Sequence, residues 1–166
     1  MNEAYIGLGS NLGESEDLIT SALDYLSETY KVEVNKCSSL YRSKPLENKD
    51  QPDYINAVAC IVGEFAALEL LENLQAVENH FGRIRNGERW ASRTLDLDIL
   101  LFDNMKIIEE RLVIPHEGIL QRDFVLHPLM EIAPNIEIPG FGAISQALAM
   151  CENRGLEKIH EYHSEP

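Results

Sequence analysis

The sequence lacks the features of an exported or membrane-spanning protein. It has only three cysteines among 166 residues, Cys37, Cys60 and Cys151, and their wide spacing fits neither a disulfide framework nor a metal cluster. No run reaches the roughly 18 apolar residues that a membrane span requires. The N-terminal MNEAYIGLGSN has no basic region followed by a long apolar one, so we expect no signal peptide. These absences predict one globular domain, residues 1–166, in the reducing cytoplasm.

Basic residues are also scarce. The chain has 14 lysines and arginines against 28 aspartates and glutamates, and its net charge of −14 disfavours nucleic acids and anionic membranes as partners. However, residues 83–93, RIRNGERWASR, hold four arginines against a single acid. An acidic protein that concentrates guanidinium groups in one segment is expected to hold a compact anion there. A charged loop that simply faces solvent is the alternative.

The hydrophobic pattern predicts an α+β fold. Strands are predicted at 4–9, 32–43, 54–65 and 95–102, with shorter ones at 105–108, 136–138 and 157–162, and helices at 14–29, 66–82, 123–133 and 142–151. Because strands and helices do not alternate steadily, we expect a largely antiparallel sheet with helices packed on it rather than a doubly wound parallel sheet. The polar, proline-bearing segment 43–53 is long enough to suggest a functional loop.

Two carboxylates alternate along the strand LDLDILLF, at Asp96 and Asp98. Residues two apart in a strand project from the same face, so both side chains should point together. On this pattern the opposite face carries Leu95, Leu97, Ile99 and Leu101. Like charges side by side oppose folding unless a cation compensates them, and hard oxygen ligands next to an arginine-rich segment suit Mg²⁺ bound with a polyphosphate. The alternative is an exposed strand face on which two acids happen to alternate.

Other motifs leave alternatives open. The glycines of GLGSNLG (7–13) fit neither a dinucleotide-binding fingerprint nor a phosphate-binding loop, so we interpret them as a tight turn or as residues that shape a site. His116, in a predicted loop, is either a surface residue or a phosphate contact. Trp90, inside the arginine segment, either stacks on a ligand or packs against the domain. No side chain has the setting of a covalent nucleophile, so a substrate hydroxyl is the expected acceptor in a phosphoryl transfer.

Taken together, these segments resemble the hydroxymethyldihydropterin pyrophosphokinases of folate biosynthesis. The resemblance is carried by YIGLGSNLG (5–13), SSLYRSKPL (38–46), DQPDYINAV (50–58), GRIRNGERWASRTLDLDILLF (82–102), ERLVIPH (110–116) and FVLHPLMEIAP (124–134). Its most specific part is RTLDLDIL, and the residues beyond 139 match less distinctly. The resemblance implies a ferredoxin-like sandwich, ATP and 6-hydroxymethyl-7,8-dihydropterin as substrates, AMP as a product, and two Mg²⁺ ions. The activity implied is that of a pyrophosphokinase, and we expect the protein to act as a monomer.

The same resemblance implies roles for individual residues. The metal ligands would be Asp96 and Asp98, which would be catalytic together with Arg83 and Arg93. The nucleotide side would include Gln75, Glu78, Arg85, Trp90, Ile99, Arg111, His116 and Arg122. The pterin side would include Ser43, Pro45, Leu46, Tyr54, Asn56 and Phe124. A flat ring suits an aromatic face such as Phe124, and its amide edge suits a residue that both donates and accepts hydrogen bonds, such as Asn56. Glu117, where the family often has an aromatic residue or proline, is a departure.

Two other classes of function are compatible with parts of the sequence. One is a nucleotide- or pterin-binding module without catalysis, although a pure binder has no need of both the carboxylate pair and the arginine segment. The other is a metal-dependent phosphohydrolase, which would consume ATP in the absence of the pterin.

Overall fold

The computed structural model describes residues 1–11, 15–45, 52–81 and 95–160. Within these ranges, helices α1 to α4 span Ser15–Tyr30, Ala67–Phe81, Asp123–Ile132 and Ile144–Met150. The strands β1 to β10 span Asn2–Ser10, Glu33–Cys37, Leu40–Ser43, Tyr54–Gly63, Asp96–Phe102, Ile107–Ile108, Val113–Ile114, Glu137–Ile138, Gly142–Ala143 and Glu157–His160. None of the helices in this part of the chain is both long and apolar enough to cross a bilayer.

One antiparallel sheet organises the fold. Its strand order is β10-β3-β4-β1-β5, and β2 also pairs with β4. Strand β1 lies between β4 and β5 and pairs with both in antiparallel register. Two short hairpins, β6-β7 and β8-β9, stand apart from this sheet. The predicted antiparallel sheet is therefore confirmed, with β5, the strand that bears the two aspartates, at one edge.

Helices cover both faces of the sheet, and the sequence of β4 reflects this arrangement. Ala57, Ala59 and Ile61 join the core formed with α1 and α2, whereas Val58 and Cys60 join the core formed with α3 and α4. A strand buried on both faces reads as a continuous apolar run rather than as alternating polar and apolar residues. The two apolar layers hold α1 and α2 on one face and α3 and α4 on the other.

The predicted strand 32–43 is two strands, because two serines interrupt it. Ser38 exchanges hydrogen bonds with Val58: its N–H donates to the Val58 carbonyl (2.8 Å), and its Oγ accepts from the Val58 N–H (2.9 Å). Ser39 donates to Glu131 of α3 through both its N–H (2.8 Å) and its Oγ (2.9 Å), and the Tyr41 hydroxyl donates to the same carboxylate. At these serines the partner of β4 therefore changes from β2 to β3. The hydrogen bonds of Ser39 and Tyr41 to Glu131 also hold α3 against the sheet.

A β-bulge in β5 corrects one predicted orientation. Tyr5 pairs with Leu101 and Ile6 pairs with Ile99, so Leu100 is an extra residue on the β5 side. As a result Ile99 packs into the core with α1 and α2, but Leu100 and Leu101 both pack into the core with α3 and α4. The prediction that Leu101 shares a face with Ile99 was wrong, because a bulge shifts the alternation by one residue.

The shorter predicted strands have mixed outcomes. Strand β10 pairs with β3 at the outer edge of the sheet, as an edge strand should. The strand predicted at 136–138 instead pairs with residues 142–143 in a separate hairpin, and α4 begins only at Ile144. Gly140 lies in the hairpin turn at φ +84°, a backbone conformation that side chains disfavour.

Candidate functional site

A pocket of about 410 Å³ opens on the face of the sheet that carries α3. Its lining includes Gly7, Gly9, Ser43, Lys44, Pro45, Tyr54, Asn56, Asp96, Asp98, Leu100, Arg122 and Phe124. These residues come from β1, β3, β4 and β5, from the segment after β3, and from the start of α3 with the residue before it. The pocket has the size expected of a small-molecule site.

The floor of the pocket exists because β1 has glycines where its neighbours have side chains. Ala4, Ile6 and Leu8 fill the core beneath α1 and α2, while Gly7 and Gly9 face the other way and line the pocket. A methyl carbon at Gly9 would lie 3.3 Å from the Asn56 Oδ1 atom. Both glycines belong to β1 and neither has a positive φ, so the predicted tight turn was wrong for them. They shape the site, which was the alternative interpretation.

Asp96 and Asp98 reach the same pocket from the edge strand. Both are partly exposed, whereas Leu95 and Leu97 between and beside them are buried, as the period of a strand predicts. The pKa of the Tyr54 hydroxyl is raised, mainly by burial and then by the negative charge of the Asp96 carboxylate. The Asp98 Oδ2 atom lies 3.9 Å from the His116 Nε2 atom. Both carboxylates therefore line the pocket, and Asp98 lies beside a histidine.

Backbone contacts orient His116 toward Asp98. The His116 N–H donates to the carbonyl of the bulged residue Leu100 (3.0 Å), and the Gly118 N–H donates to the His116 Nδ1 atom (3.0 Å). Since Nδ1 accepts a hydrogen bond, the proton of the neutral ring is on Nε2. Burial lowers the pKa of His116, and the Arg122 charge lowers it further, against the opposing effects of Asp98 and Glu117. At neutral pH the ring is a neutral Nε2–H donor that points into the site.

Glu78 lies beneath β5 rather than in the pocket. Its side chain is only 6% exposed, and its Oε2 atom accepts a hydrogen bond from the Leu97 N–H at 2.9 Å. Glu78 was predicted to face the nucleotide, but it does not line the pocket, because α2 packs the face that carries Glu78 against the sheet. This role of Glu78 was not predicted from the sequence. A lone acid among the buried positions of an amphipathic helix was the signal for it.

The other residues predicted on the nucleotide side are spread more widely. The Ile99 side chain is buried in the core with α1 and α2, so it is turned away from the pocket. Gln75 is exposed on α2, and Arg111 is exposed and forms an ion pair with Glu72 of the same helix (3.5 Å). Among the members of this group that the structure describes, Arg122 alone lines the pocket. Leu46, Arg83, Arg85, Trp90 and Arg93 lie outside the described residues.

The residues predicted on the pterin side line the part of the pocket formed by β3, β4 and α3, across β1 from the two carboxylates on β5. Ser43, Pro45, Tyr54, Asn56 and Phe124 all line it. Asn56 is 5% exposed, and its Nδ2 atom donates to the Ser43 Oγ atom at 2.7 Å. That hydrogen bond fixes the orientation of the Asn56 amide, with its NH₂ group toward Ser43. The site thus has an aromatic and amide end and a carboxylate end.

Asp123, which precedes Phe124, was also missed by sequence reasoning. Asp123, the first residue of α3, is buried, and its Oδ2 atom accepts a hydrogen bond from the Arg154 N–H (2.9 Å), which ties the C-terminal segment to this helix. Arg122 lies with its Cζ atom 5.8 Å from the centre of the Phe124 ring. The charged first residue of a predicted helix was a signal for the first of these contacts.

Comparisons with known proteins show the family to which the chain is similar. The family model described as 7,8-dihydro-6-hydroxymethylpterin-pyrophosphokinase (HPPK) matches residues 5–134. A 2-amino-4-hydroxy-6-hydroxymethyldihydropteridine pyrophosphokinase of Haemophilus influenzae is 44% identical over 160 residues, which cover 96% of this chain and 99% of the relative. The protein of the same name from Pseudomonas aeruginosa is 40% identical over 159 residues, covering 96% and 98%.

Solved structures show the same fold. The wild-type HPPK-DHPS of Plasmodium falciparum with SDX-DHP superposes with a TM-score of 0.70 at 16% identity, over 90% of this chain and 43% of that one. This chain therefore corresponds to less than half of that longer protein. Together with the antiparallel sheet between helices, the likeness confirms the predicted α+β, ferredoxin-like fold.

Proposed function

Because the chain belongs to the 7,8-dihydro-6-hydroxymethylpterin-pyrophosphokinase family, we propose that it transfers the terminal pyrophosphoryl group of ATP to the hydroxymethyl oxygen of 6-hydroxymethyl-7,8-dihydropterin, with release of AMP. The observation that carries the proposal is the division of one pocket into an aromatic and amide end and a carboxylate end. Such a pocket can hold a flat heterocycle and a polyphosphate side by side, which is what a group transfer between them requires.

The aromatic and amide end suits the pterin. Phe124 and Tyr54 offer ring faces to a flat bicyclic substrate, and such contacts prefer stacked or edge-to-face geometry. Asn56 is held by Ser43, so its amide is oriented before the substrate arrives. A buried amide of fixed orientation can recognise a ring edge that alternates donors and acceptors, and it rejects analogues that lack them.

The carboxylate end suits Mg²⁺ bound with phosphate. Among the described residues no group of three or more His, Cys, Asp and Glu side chains could hold a metal ion alone. Two partly exposed aspartates fit Mg²⁺ nonetheless, since this ion is usually held by one or two carboxylates, several waters and the phosphates of the substrate. When bound, Mg²⁺ neutralises charge on the phosphate oxygens. The number of ions stays a prediction.

The side chains of the protein then position the two substrates and balance the charge on the phosphates. The pterin hydroxyl oxygen attacks the β-phosphorus in line, a new O–P bond forms as the bond between the β-phosphorus and the α-β bridging oxygen breaks, AMP leaves, and the hydroxyl proton is released. The neutral Nε2–H of His116 can donate a hydrogen bond at the phosphate end. Arg83 and Arg93, with Arg122, would offset negative charge that grows on the bridging region.

The test is an assay of products. With ATP, Mg²⁺ and 6-hydroxymethyl-7,8-dihydropterin, mass spectrometry should find AMP and the pyrophosphorylated pterin in equal amounts. A binding module would yield neither product. A phosphohydrolase would degrade ATP when the pterin is left out, and that result would replace the proposal. Action as a cytoplasmic monomer, without nucleic acid or membrane partners, stays a prediction.

A further inference from the structure

Gly118 occupies a position where space, rather than backbone conformation, excludes a side chain. Its φ and ψ of −92° and 5° are open to any residue. A Cβ atom placed there, however, would lie 2.6 Å from the Arg122 Nε atom and 2.9 Å from its Cζ atom. Contacts this short do not occur, so the guanidinium group of Arg122 can rest where it does only because residue 118 has no side chain.

Arg122 lines the same pocket as the aromatic and amide end and the carboxylate end. Its guanidinium lies against Gly118, with the Cζ atom 5.8 Å from the centre of the Phe124 ring, and the residue lines the same pocket as Asp96 and Asp98. A planar guanidinium group beside an aromatic ring, in a pocket where phosphate is proposed to bind, can contact both groups in only a few orientations. A small added side chain next to the Arg122 guanidinium should therefore alter its contacts with the bound substrates.

We propose that Gly118 is a positioning residue for pyrophosphoryl transfer, whose missing side chain allows Arg122 to adopt the orientation that contacts the bound substrates. This inference rests on the proposed role of Arg122 in the reaction. Gly118 also donates its backbone N–H to His116 Nδ1, but an alanine or serine keeps that N–H. Substitution by alanine therefore separates the effect on Arg122 from the hydrogen bond to His116.

The substitution should leave the fold intact. The atoms that a new methyl group would meet belong to the outer half of a long, flexible side chain, which yields before the backbone does. An alanine at this φ is unstrained, and it lowers the conformational entropy of the unfolded chain. The thermal midpoint of Gly118→Ala should thus be equal to that of the wild type or slightly higher, while Arg122 is displaced.

A double-mutant cycle tests the inference. Wild type, Gly118→Ala, Arg122→Ala and the double variant are compared in kcat/KM and in the dissociation constant of a non-hydrolysable ATP analogue with Mg²⁺. Losing a charge-assisted contact should cost Arg122→Ala about tenfold to a hundredfold in at least one of these quantities. Gly118→Ala should show a loss in the same quantity, and Gly118→Ser should match it because both add a Cβ atom. In the Arg122→Ala background, Gly118→Ala should change that quantity by less than about twofold.

Each other outcome overturns the inference in a recognisable way. If Arg122→Ala matches the wild type in both quantities, Arg122 has no such role and Gly118 positions nothing. If Gly118→Ala is as active as the wild type while Arg122→Ala is impaired, the guanidinium does not need the space. If the losses add in the double variant, Gly118 acts by another route. A wild-type protein that makes no pyrophosphorylated pterin refutes the proposed function, while the binding cycle still decides the role of Gly118.

Discussion

The carboxylate of Glu78 accepts a hydrogen bond from the backbone N–H of Leu97, at 2.9 Å, and Leu97 is the residue between the two aspartates of the site. The contact joins α2 to the edge strand β5 from beneath. Because β5 has no strand on its outer side within the described sheet, this side chain supplies an acceptor that a neighbouring strand would otherwise provide. A residue outside the pocket therefore holds the backbone between Asp96 and Asp98.

We predict that Glu78→Ala lowers both stability and activity, because it removes a buried acceptor and leaves the Leu97 N–H without it. The loss should be about 1–3 kcal/mol in the free energy of unfolding, measured by denaturant titration. The Mg²⁺ concentration that gives half-maximal turnover should also rise, as Asp96 and Asp98 lose their alignment. Glu78→Gln keeps an acceptor oxygen and should recover part of both losses. Glu69→Ala, on the exposed side of α2, is the matched control. An unchanged Mg²⁺ dependence in Glu78→Ala would contradict the positioning role.

Removal of either aspartate should abolish most activity without unfolding the protein. Asp96 and Asp98 are partly exposed, so Asp96→Ala and Asp98→Ala should keep the wild-type thermal midpoint within a few degrees. The expected loss is on the order of several kcal/mol of transition-state stabilisation, seen in kcat/KM at saturating Mg²⁺. Asp24→Ala, an exposed acid on α1, controls for the change of net charge. Near-normal turnover in either site variant would show that the metal assignment is wrong.

The pterin end can be separated from the nucleotide end by Phe124→Ala. Loss of the ring should weaken pterin binding by about 1–3 kcal/mol, because a stacking surface is removed, and should leave the affinity for an ATP analogue much less changed. Calorimetric titration of each ligand measures both effects. Phe141→Ala removes a partly buried ring packed on the core with α3 and α4 and should change neither affinity strongly. Equal losses for both ligands in Phe124→Ala would contradict the division of the pocket.

The arginine segment carries a prediction that follows from charge alone. Arg83→Ala and Arg93→Ala should reduce the single-turnover rate more than they weaken substrate binding, since negative charge on the bridging region grows toward the transition state. Rates from rapid quench and dissociation constants from titration give the comparison. Arg154→Ala, whose side chain is exposed, is a suitable control. If binding falls in full proportion to rate, the arginines act only as an anion clamp.

Stability should fall at alkaline pH because of the Cys60 and Cys37 thiols. Burial raises the pKa of Cys60 to about 11, and burial together with Glu131 raises that of Cys37 to about 12, from a usual value of 9.0. Between pH 9 and 11 the unfolded chain loses these protons while the folded chain keeps them, so the contribution of these thiols to stability is constant below pH 9 and decreases above it. Each thiol contributes up to about 1.4 kcal/mol per pH unit.

Denaturant titrations at several pH values measure this slope. Cys60→Ala should be less stable at pH 7, since a buried side chain is lost, but its stability should decline less steeply above pH 9. A slope identical to that of the wild type would mean that Cys60 does not contribute to the alkaline transition.

The sequence by itself determined the local features of this protein. Hydrophobic period alone identified the long helices and the main strands, since amphipathic residues must bury one face. It also placed Asp96 and Asp98 on one side of β5, because a strand of period two leaves no other choice over three residues. The resemblance of its motifs to a known family indicated the fold and the reaction, which the comparisons bear out.

Only the tertiary structure decided the features that depend on packing between distant segments. The bulge at Leu100 and the strand break at Ser38 arise where pairing partners meet, and the local pattern carries no sign of the register that results. The burial of Glu78 beneath Leu97, and the contact between Gly118 and Arg122, likewise follow from how α2 and the segment before α3 pack around β5. Sequence period fixes which way a side chain points on its own element, whereas its partner is chosen by the elements that pack against it.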